Sequence, residues 1–282
     1  MIRPGPLLVD RLLHEDVPYL DLTTHLLGIG DRPATITFVA RDAAVAAGTD
    51  VVGSICARLG VGVLDRRTDG ARVEPGDVLL RGTGTAADVH AAWKVCANVL
   101  EGCCGIATRT RALVDAARSA SPGVRVFTTR KNFPGTKELA VAAILAGGAL
   151  PHRLGLSETV LIFDQHTAFI GGASGLAALL GGPLRGATCE KKILAEVTGR
   201  DEALLLAAAG VDGLQFDKVP PDELATIVAS VRAFDPRITL IAAGGINPAN
   251  AGAYAATGVD ALASSWMYAG RPADVGVTIE PA

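Results

Sequence analysis

The pattern of apolar and polar residues in the first part of the chain predicts a small module of strands and helices. The stretch L-L-V-D-R-L-L-H-E-D, before Pro18, has the spacing of an amphipathic helix. Alternating or short apolar runs at 36–41, 61–65 and 73–82 predict strands, and a helix is predicted over 50–59. We therefore expect roughly the first ninety residues to form an α/β unit with mostly antiparallel strands.

The rest of the chain has a different order of predicted helices and strands. A long apolar helix is predicted over 87–120, pinched near Gly102 and Gly105, as the connection into a second domain. Strands and helices then alternate, with strands predicted at 124–129, 159–164, 191–197, 213–217, 238–243 and 260–264, and helices including 138–146, 201–209 and 222–231. Serial βα units predict a parallel sheet, and six of them favour an α/β barrel over an open sheet. The first strand lacks a following Gly-x-Gly-x-x-Gly, which disfavours a dinucleotide fold.

Composition narrows the class of protein. Hydrophobic residues make up 49% of the 282 residues but aromatic ones only 4%, so we expect an interior of Ala, Val, Leu and Ile. A net charge of −3 argues against a general nucleic-acid surface. No apolar run is long enough to span a bilayer and no signal-peptide pattern opens the sequence, which predicts a cytoplasmic protein. The five cysteines lack metal-ligand spacing and are expected to be small buried thiols.

Polar residues or glycine pairs follow the predicted barrel strands, where βα barrels carry their working residues. In chain order these are Arg130 and Lys131, Asp164 with His166, Glu196, Asp217 with Lys218, Gly244 with Gly245, and Ser264 with Ser265. The set combines cations, acids and a glycine turn. Solvent exposure of loop residues would not by itself place such a combination after every predicted strand.

Charge suggests a role for each group. The bare backbone of Gly244 and Gly245, before a predicted helix amino end, favours a phosphate. Glu196 and Asp217 suit Mg²⁺ held through waters or ribose hydroxyls, although salt bridges to nearby lysines stay an alternative. Together these residues indicate phosphoryl or phosphoribosyl chemistry.

The cations suggest an anion pocket. Arg130 with His152 and Arg153, which follow a tight return, is suited to a carboxylate, because arginine offers bidentate geometry. Lys131 is suited to a leaving polyphosphate as a point charge. We interpret His166 as a packing residue that supports the site rather than one that contacts substrate.

The same residues carry a family resemblance. The segments T-R-K-x-x-P-G, G-G-x-x-x-H-R-x-G-L, L-I-x-D-x-H and A-x-G-G-I together resemble the quinolinate phosphoribosyltransferase family (nicotinate-nucleotide pyrophosphorylase, carboxylating). E-D-x-P-x-x-D-x-T-T at 15–24 and G-I-A-T at 105–108 extend the likeness over nearly the whole chain. F-P-G-T-K and P-H-R-L-G-L-S-E-T resemble its ModD branch, which is named for an association with molybdate transport genes.

The resemblance implies an N-terminal α/β sandwich plus a C-terminal open α/β barrel. The expected bounds are 1–107 for the sandwich with its linker helix, 108–270 for the barrel, and 271–282 for a tail returning toward the amino-terminal domain. It also implies a homodimer or larger oligomer, in which the sandwich of one subunit covers the barrel mouth of another. The implied reaction moves a 5-phosphoribosyl group from phosphoribosyl pyrophosphate to a pyridine acid, with Mg²⁺, and releases pyrophosphate.

The resemblance also implies roles for individual residues. Those that match are Arg130, His152 and Arg153 for the carboxylate, Lys131 for pyrophosphate, Glu196 and Asp217 for ribose and metal, and Gly244 and Gly245 for phosphate. Ser264 and Ser265, at the end of the last barrel strand, are also expected to bind phosphate. Phe163 stands where the family has a substrate-binding lysine, and Lys94 where a neighbouring subunit lends an arginine. Ala243 replaces a serine, and Ser265 replaces a glycine.

The Phe163 exchange bears on the acceptor. Phenylalanine removes a cation and adds an apolar wall, so a second carboxylate would be buried unpaired at a cost of several kcal/mol. We therefore predict an aromatic acid with one carboxylate, not quinolinate, unless Arg109 or Arg111 restores the charge. Two alternatives stay open: a non-catalytic oxyanion-binding or regulatory protein linked to molybdate transport, and an ordinary quinolinate phosphoribosyltransferase of NAD synthesis. The two acids favour the enzyme, because an anion sensor has no use for them.

Overall fold

The structure of the protein is a computed structural model that describes residues 5–282, so the first four residues of the predicted amino-terminal domain lie outside it. Its helices are α1 (Pro6–Asp16), α2 (Leu22–Leu26), α3 (Thr49–Leu59), α4 (Ala86–Ala120), α5 (Lys137–Gly147), α6 (Asp164–Thr167), α7 (Gly172–Leu180), α8 (Pro183–Ala187), α9 (Arg200–Ala208), α10 (Pro221–Phe234) and α11 (Ala251–Ala255). Its strands are β1 (Pro33–Ala40), β2 (Ala44–Val45), β3 (Gly62–Arg66), β4 (Arg72–Val73), β5 (Val78–Thr85), β6 (Arg125–Thr128), β7 (Leu150–Pro151), β8 (Val160–Ile162), β9 (Ile193–Val197), β10 (Gly213–Asp217), β11 (Thr239–Ala243), β12 (Ala261–Ser264) and β13 (Val275–Pro281).

The described chain divides into two compact units, each built from separated segments. The first unit consists of the described residues up to Arg111, together with Asn132–Gly148 and Met267–Ala282. The second unit consists of Ala112–Lys131 and Ala149–Trp266. Helix α5, expected from sequence to accompany the barrel strands, lies in the first unit, where Ala143 joins the apolar core. Each of these units combines separated segments, whereas each predicted domain (1–107, 108–270 and 271–282) is one continuous segment. The predicted domain bounds stay a prediction.

The first unit contains the antiparallel sheet that the alternating pattern predicts. Its strand order is β13-β1-β5-β3, and β2 pairs separately with β4. Alternate residues of β1, including Ile36, Phe38 and Ala40, are buried, which explains why the register is well defined. Strand β13 pairs with β1 from Ala34 opposite Pro281 to Ala40 opposite Val275.

The long helix α4 differs from expectation in one respect. It runs unbroken for 35 residues, so the predicted pinch near Gly102 and Gly105 is wrong. Gly105 is required for close packing, because a Cβ there would lie 3.0 Å from the Ala273 nitrogen and 3.1 Å from the Pro272 Cα.

The cysteines are largely buried and unpaired. Cys56, Cys96, Cys103 and Cys104 are buried as predicted, whereas Cys189 is exposed, which corrects the expectation for that residue. Burial raises the pKa of the Cys104 thiol to about 11, so this group stays protonated at neutral pH.

The second unit contains a seven-stranded, fully parallel sheet with the order β7-β6-β12-β11-β10-β9-β8. All six barrel strands predicted from the sequence are confirmed, and the short β7 was missed because two residues leave no periodic signal. The edge strands β7 and β8 do not pair with one another, so the barrel is open. Among the described residues, no helix combines the length and apolarity needed to cross a bilayer.

The interior of this sheet is apolar except at one edge. Its core cluster consists of Leu161, Leu194, Ile241, Ala243, Ala261 and Ala263, packed with Phe127 and Phe163. On β9 and β10 the register places Gln215 opposite Glu196. Asp217 follows Gln215 at the spacing that returns a side chain to the same face. The polar part of the interior therefore lies at the carboxyl ends of β9 and β10.

Candidate active site

The carboxyl ends of the parallel strands surround a cavity of about 700 Å³ within the second unit. The position is the one at which α/β barrels bind substrates. Its lining residues are Thr129, Arg130, Lys131, His152, Arg153, Leu161, Phe163, Gln165, Glu196, Gln215, Asp217, Lys218, Ala243, Gly244, Gly245, Ile246, Ala263, Ser264, Ser265 and Trp266.

One side of the cavity is cationic. Arg130 and Lys131 directly follow β6, and Arg153 comes from the turn after β7, the neighbouring strand. Burial, together with the charge of Arg130, lowers the pKa of Arg153, although a guanidinium stays protonated in proteins. Like charges held this close favour an anionic ligand, because an anion relieves their mutual repulsion.

His152 sits beside these cations with one ring nitrogen unused. Its backbone N–H donates to the Thr128 carbonyl at 2.9 Å, and its ring meets Phe127 edge-on with centroids 5.8 Å apart. The buried Nε2 has no hydrogen-bond partner among the described residues. Burial and the charge of Arg153 lower the pKa of His152, which keeps the ring neutral at physiological pH. This nitrogen is therefore suited to a hydrogen bond with a bound ligand.

Phe163 forms an apolar wall next to the cations. Its ring stacks on His166 with centroids 5.8 Å apart, and its backbone N–H donates to the His166 Nδ1 at 3.0 Å. The Arg153 guanidinium carbon lies 6.0 Å from the Phe163 ring centroid. This distance is at the limit of a cation–π contact. His166 thus supports Phe163 as a packing residue, and it does not line the cavity.

The other side of the cavity is acidic. Glu196 and Asp217 both line it, and the Gln215 Nε2 donates to the Glu196 Oε2 at 2.7 Å. Burial raises the pKa of Glu196, and the charges of Asp217 and Asp164 raise it further, whereas the hydrogen bond from Gln215 and the charge of Lys131 lower it. The Asp217 charge repels an ionised Glu196, and a divalent cation bound between the two carboxylates would relieve this repulsion.

The raised pKa of Glu196 predicts a pH-dependent stability. The pKa of Glu196 is higher in the folded state than in the unfolded state. Ionisation of this carboxylate therefore lowers the stability of the fold at pH above the unfolded-state pKa, and has no such cost at pH below the unfolded-state pKa. We expect Glu196→Gln to raise the free energy of unfolding at neutral pH by no more than about 1 kcal/mol, because solvent screens a half-buried group. The gain should vanish at acidic pH. Urea unfolding at several pH values measures it, with the exposed Glu223→Gln as the control; a gain independent of pH would contradict the assignment.

A glycine turn closes the cavity between β11 and the next helix. Gly244 and Gly245 have φ angles of 87° and 70°, which non-glycine residues rarely adopt. No hydrogen bond found among the described residues uses the backbone N–H of Gly244, Gly245 or Ile246. Helix α11 begins only at Ala251 and has five residues, so the expected contribution of a helix amino end is wrong. The three successive free N–H groups remain suited to an anion.

The two serines of the predicted phosphate site lie beside this turn but differ in role. The buried Ser264 donates its hydroxyl to the Ile246 carbonyl at 2.7 Å and accepts the Trp266 N–H at 3.1 Å, so it fixes the turn. Ser265 is half-buried and lines the cavity.

Four residues besides His166 that were considered from the sequence do not line the cavity. Asp164 is the first residue of α6 rather than the end of a strand, and Lys94 is exposed on α4 in the first unit. Arg109 donates to the Met267 and Arg271 carbonyls at 2.9 and 2.6 Å, and Arg111 donates to the Ala146 carbonyl at 3.3 Å. The guanidinium groups of these arginines therefore already bind carbonyl groups of the first unit.

Sequence reasoning missed Gln215 and gave no role to Lys218, although both line the cavity. The signal for Gln215 was available, because a polar residue two positions before Asp217 in an apolar strand faces the same side. No local signal indicated the backbone conformation of Lys218.

Comparison with known proteins assigns the chain to a protein family. The family model "Quinolinate phosphoribosyl transferase, N-terminal domain" matches residues 21–104, and the corresponding C-terminal domain model matches residues 106–277. The two matches together span nearly the whole sequence.

Individual relatives agree with the family models. The chain is 42% identical over 240 residues to a protein from Rhodobacter capsulatus named as pyrophosphorylase ModD. The aligned residues cover 85% of this chain and 92% of the relative. It is 34% identical over 279 residues to the nicotinate-nucleotide pyrophosphorylase (carboxylating) of Mycobacterium leprae, with 96% and 95% covered.

A solved structure supports the fold. NadC from Streptococcus pyogenes matches with a TM-score of 0.89 at 23% identity, covering 99% of each chain. This likeness confirms the predicted sandwich and open barrel. The chain belongs to the quinolinate phosphoribosyltransferase family, whose members are phosphoribosyltransferases, and within that family it resembles the proteins named ModD.

Proposed function

We propose that this protein transfers a 5-phosphoribosyl group from phosphoribosyl pyrophosphate to an aromatic, pyridine-type acid other than quinolinate, and releases pyrophosphate. The observation that carries the proposal is the shared cavity, which joins Arg130, Lys131 and Arg153 to Glu196 and Asp217. Cations alone would suit any oxyanion. A site that also presents two acids is suited to a sugar and a metal ion beside the anion.

Mg²⁺ fits the acidic side of the cavity. Glu196 and Asp217 would hold it, and the described residues contain no group of three or more His, Cys, Asp or Glu side chains suited to a metal. Mg²⁺ is commonly bound by one or two carboxylates together with waters and substrate phosphates, so two acids are sufficient. When bound, the ion neutralises developing charge on the departing pyrophosphate.

The chain's own residues explain the rest of the reaction. Lys131, which lines the cavity, would neutralise the leaving pyrophosphate, and the free N–H groups of Gly244 and Gly245 would hold the sugar phosphate. As the sugar carbon loses pyrophosphate it becomes cationic, and the Glu196 and Asp217 carboxylates stabilise that charge. Catalysis therefore consists mainly of positioning and electrostatics.

The acceptor follows from the cationic wall and from Phe163. Arg130, Arg153 and the neutral His152 provide one carboxylate-binding region, with a free Nε2 as an additional hydrogen-bond group. Phe163 presents an apolar ring in the same cavity, which suits a flat aromatic face but no second carboxylate. We therefore assign an aromatic monocarboxylic acid as the acceptor.

Restoring the cation should change this preference. We expect Phe163→Lys to raise kcat/KM for quinolinate relative to nicotinate by about tenfold or more, because a paired second carboxylate regains at least about 1.4 kcal/mol. Phe163→Leu is the control, since it removes the ring without adding charge. Steady-state kinetics with both acids measures the ratio. An equal change in the two variants, or a wild-type preference for quinolinate, would reject the assigned role of Phe163.

The proposed reaction itself has a direct test. The protein is incubated with phosphoribosyl pyrophosphate, Mg²⁺ and a panel of aromatic acids, and acceptor-dependent pyrophosphate release is measured. Release with a monocarboxylic acid supports the proposal, and release with quinolinate alone favours an ordinary quinolinate phosphoribosyltransferase. Absence of release with every acid, together with tight molybdate binding, favours the oxyanion-binding alternative.

We further propose that the protein is at least a homodimer with shared active sites. The support is the exposed Lys94 on α4, which stands where the family resemblance implies a cation lent by a neighbouring subunit. The native mass in solution tests this directly, and a strictly monomeric active enzyme would rule it out.

A further inference from the structure

Lys218 has a backbone conformation that calls for an explanation. Its φ angle is 57°, and in the part of the chain that the structure describes it is the single non-glycine residue with a positive φ. A long side chain in this region is uncommon, and such strain persists only where the surroundings hold it. The Lys218 N–H donates to the Ala243 carbonyl at 2.8 Å, which fixes the residue to the neighbouring strand.

The side chain of Lys218 lies along the glycine turn. A Cβ on Gly244 would come within 2.5 Å of the Lys218 Cγ and 2.6 Å of the Asp217 Oδ1, so the absence of a side chain at Gly244 makes room for both residues. The left-handed conformation thus sets the direction in which the lysine stem leaves the strand, which is across Gly244 and into the lining of the cavity.

The ammonium group of Lys218 is available for a ligand. Its Nζ lies 3.8 Å from the Asp217 Oδ2, and its side chain is 78% exposed. An exposed ion pair at this distance contributes little, so Asp217 does not neutralise the lysine as a buried partner would. This exposed charge lines the same cavity as the three successive backbone N–H groups, which lack partners among the described residues.

We propose that Lys218 is a substrate-binding residue that binds the 5-phosphate of the phosphoribosyl donor together with the Gly244–Gly245 turn. This inference rests on the proposed function and assigns one residue of the same site. An ammonium beside clustered N–H groups is a strong phosphate seat, because charge-assisted hydrogen bonds add to the backbone dipoles. The strained backbone is then retained because it directs the charge to that position.

Strand order decides between the phosphate and the acceptor carboxylate as the partner of Lys218. Lys218 follows β10, and Gly244 follows β11, which is directly adjacent. Arg130, which is assigned to the acceptor carboxylate, follows β6, three strands away from β10. With strands about 4.8 Å apart, Arg130 is about 14 Å distant along the sheet, whereas the glycine turn is in contact.

The experiment removes the charge while retaining the backbone. Lys218→Asn and Lys218→Gly both tolerate a positive φ, and Lys218→Arg keeps the charge. Calorimetric titration with ribose 5-phosphate and, separately, with inorganic pyrophosphate measures binding without turnover. Lys192→Asn is the matched control, because this exposed lysine precedes β9 at the opposite end of the barrel strands.

We expect the Asn and Gly variants to bind ribose 5-phosphate about tenfold more weakly, with pyrophosphate changed less than about twofold. The Arg variant and the Lys192 control should stay within about threefold of wild type. The midpoint of thermal unfolding should be unchanged or higher in the Gly variant, because the strain is relieved. A purely structural lysine would show the opposite pattern of lower stability and unaltered ligand selectivity.

Several results would overturn the proposal. They are wild-type protein that does not bind ribose 5-phosphate, unchanged ribose 5-phosphate binding in both neutral variants, an equal loss for pyrophosphate, and an effect confined to the acceptor acid. Failure of the proposed reaction is a separate result. Wild-type protein that binds ribose 5-phosphate through Lys218 but releases no pyrophosphate with any acid would reject the reaction and retain the phosphate site.

Discussion

Lys131→Ala is expected to lower kcat for pyrophosphate release by about 100- to 1,000-fold, the range for removing one group that stabilises charge in a transition state. Lys131 directly follows β6 in the cavity lining, beside Arg130. Negative charge accumulates on pyrophosphate as it departs, so a lysine at this position acts more strongly in the transition state than in the bound ground state. The measurement is kcat at saturating donor and acceptor.

The Lys131 prediction has a close control. Lys192→Ala removes the same charge from the opposite end of the barrel strands and should leave kcat within about twofold of wild type. The folded state should be unaffected in both variants, because the side chains of Lys131 and Lys192 are exposed. A kcat within about threefold of wild type for Lys131→Ala would remove Lys131 from the reaction and leave Arg130 and Arg153 as its cations.

Much of the second unit was predictable because its signals are local and repeated. Each barrel strand is a short apolar run, and parallel strands bring their carboxyl ends to one edge. That rule alone places Lys131, Glu196 and Asp217 in one cavity, as the structure does. Side chains at every second position of a strand point to the same face, so Gln215 could have been predicted from Asp217. Considering only the strand ends left Gln215 out.

Other features depend on contacts between distant parts of the sequence. Helix α5 is apolar on most of its surface, so its pattern does not indicate which core it joins, and it packs in the first unit. The positive φ of Lys218 is held by the Ala243 carbonyl, 25 residues later in the chain. The mistaken helix amino end after Gly245 has a similar origin, because turns at Asn247 and Asn250 delay α11 until Ala251.

The glycine turn can be tested by two substitutions that differ only in local space. Gly244 and Gly245 both have positive φ, so alanine strains either one by about 1 kcal/mol. At Gly244 the new methyl would also lie 2.6 Å from the Asp217 Oδ1 and 2.8 Å from the Lys218 backbone nitrogen, whereas at Gly245 nothing lies within 4 Å.

We therefore expect Gly244→Ala to lower the free energy of unfolding of the second unit by about 2–4 kcal/mol, and Gly245→Ala by about 1 kcal/mol. Urea unfolding followed by Trp266 fluorescence in a Trp93→Phe background reports on this unit, since the chain has two tryptophans. Both variants should bind ribose 5-phosphate at least tenfold more weakly, for different reasons. Gly244→Ala displaces Asp217 and Lys218, and Gly245→Ala places a methyl group beside the free N–H groups. Equal losses of stability would mean that Asp217 and Lys218 move aside freely, and that the lack of a side chain at Gly244 is not needed to keep them in place.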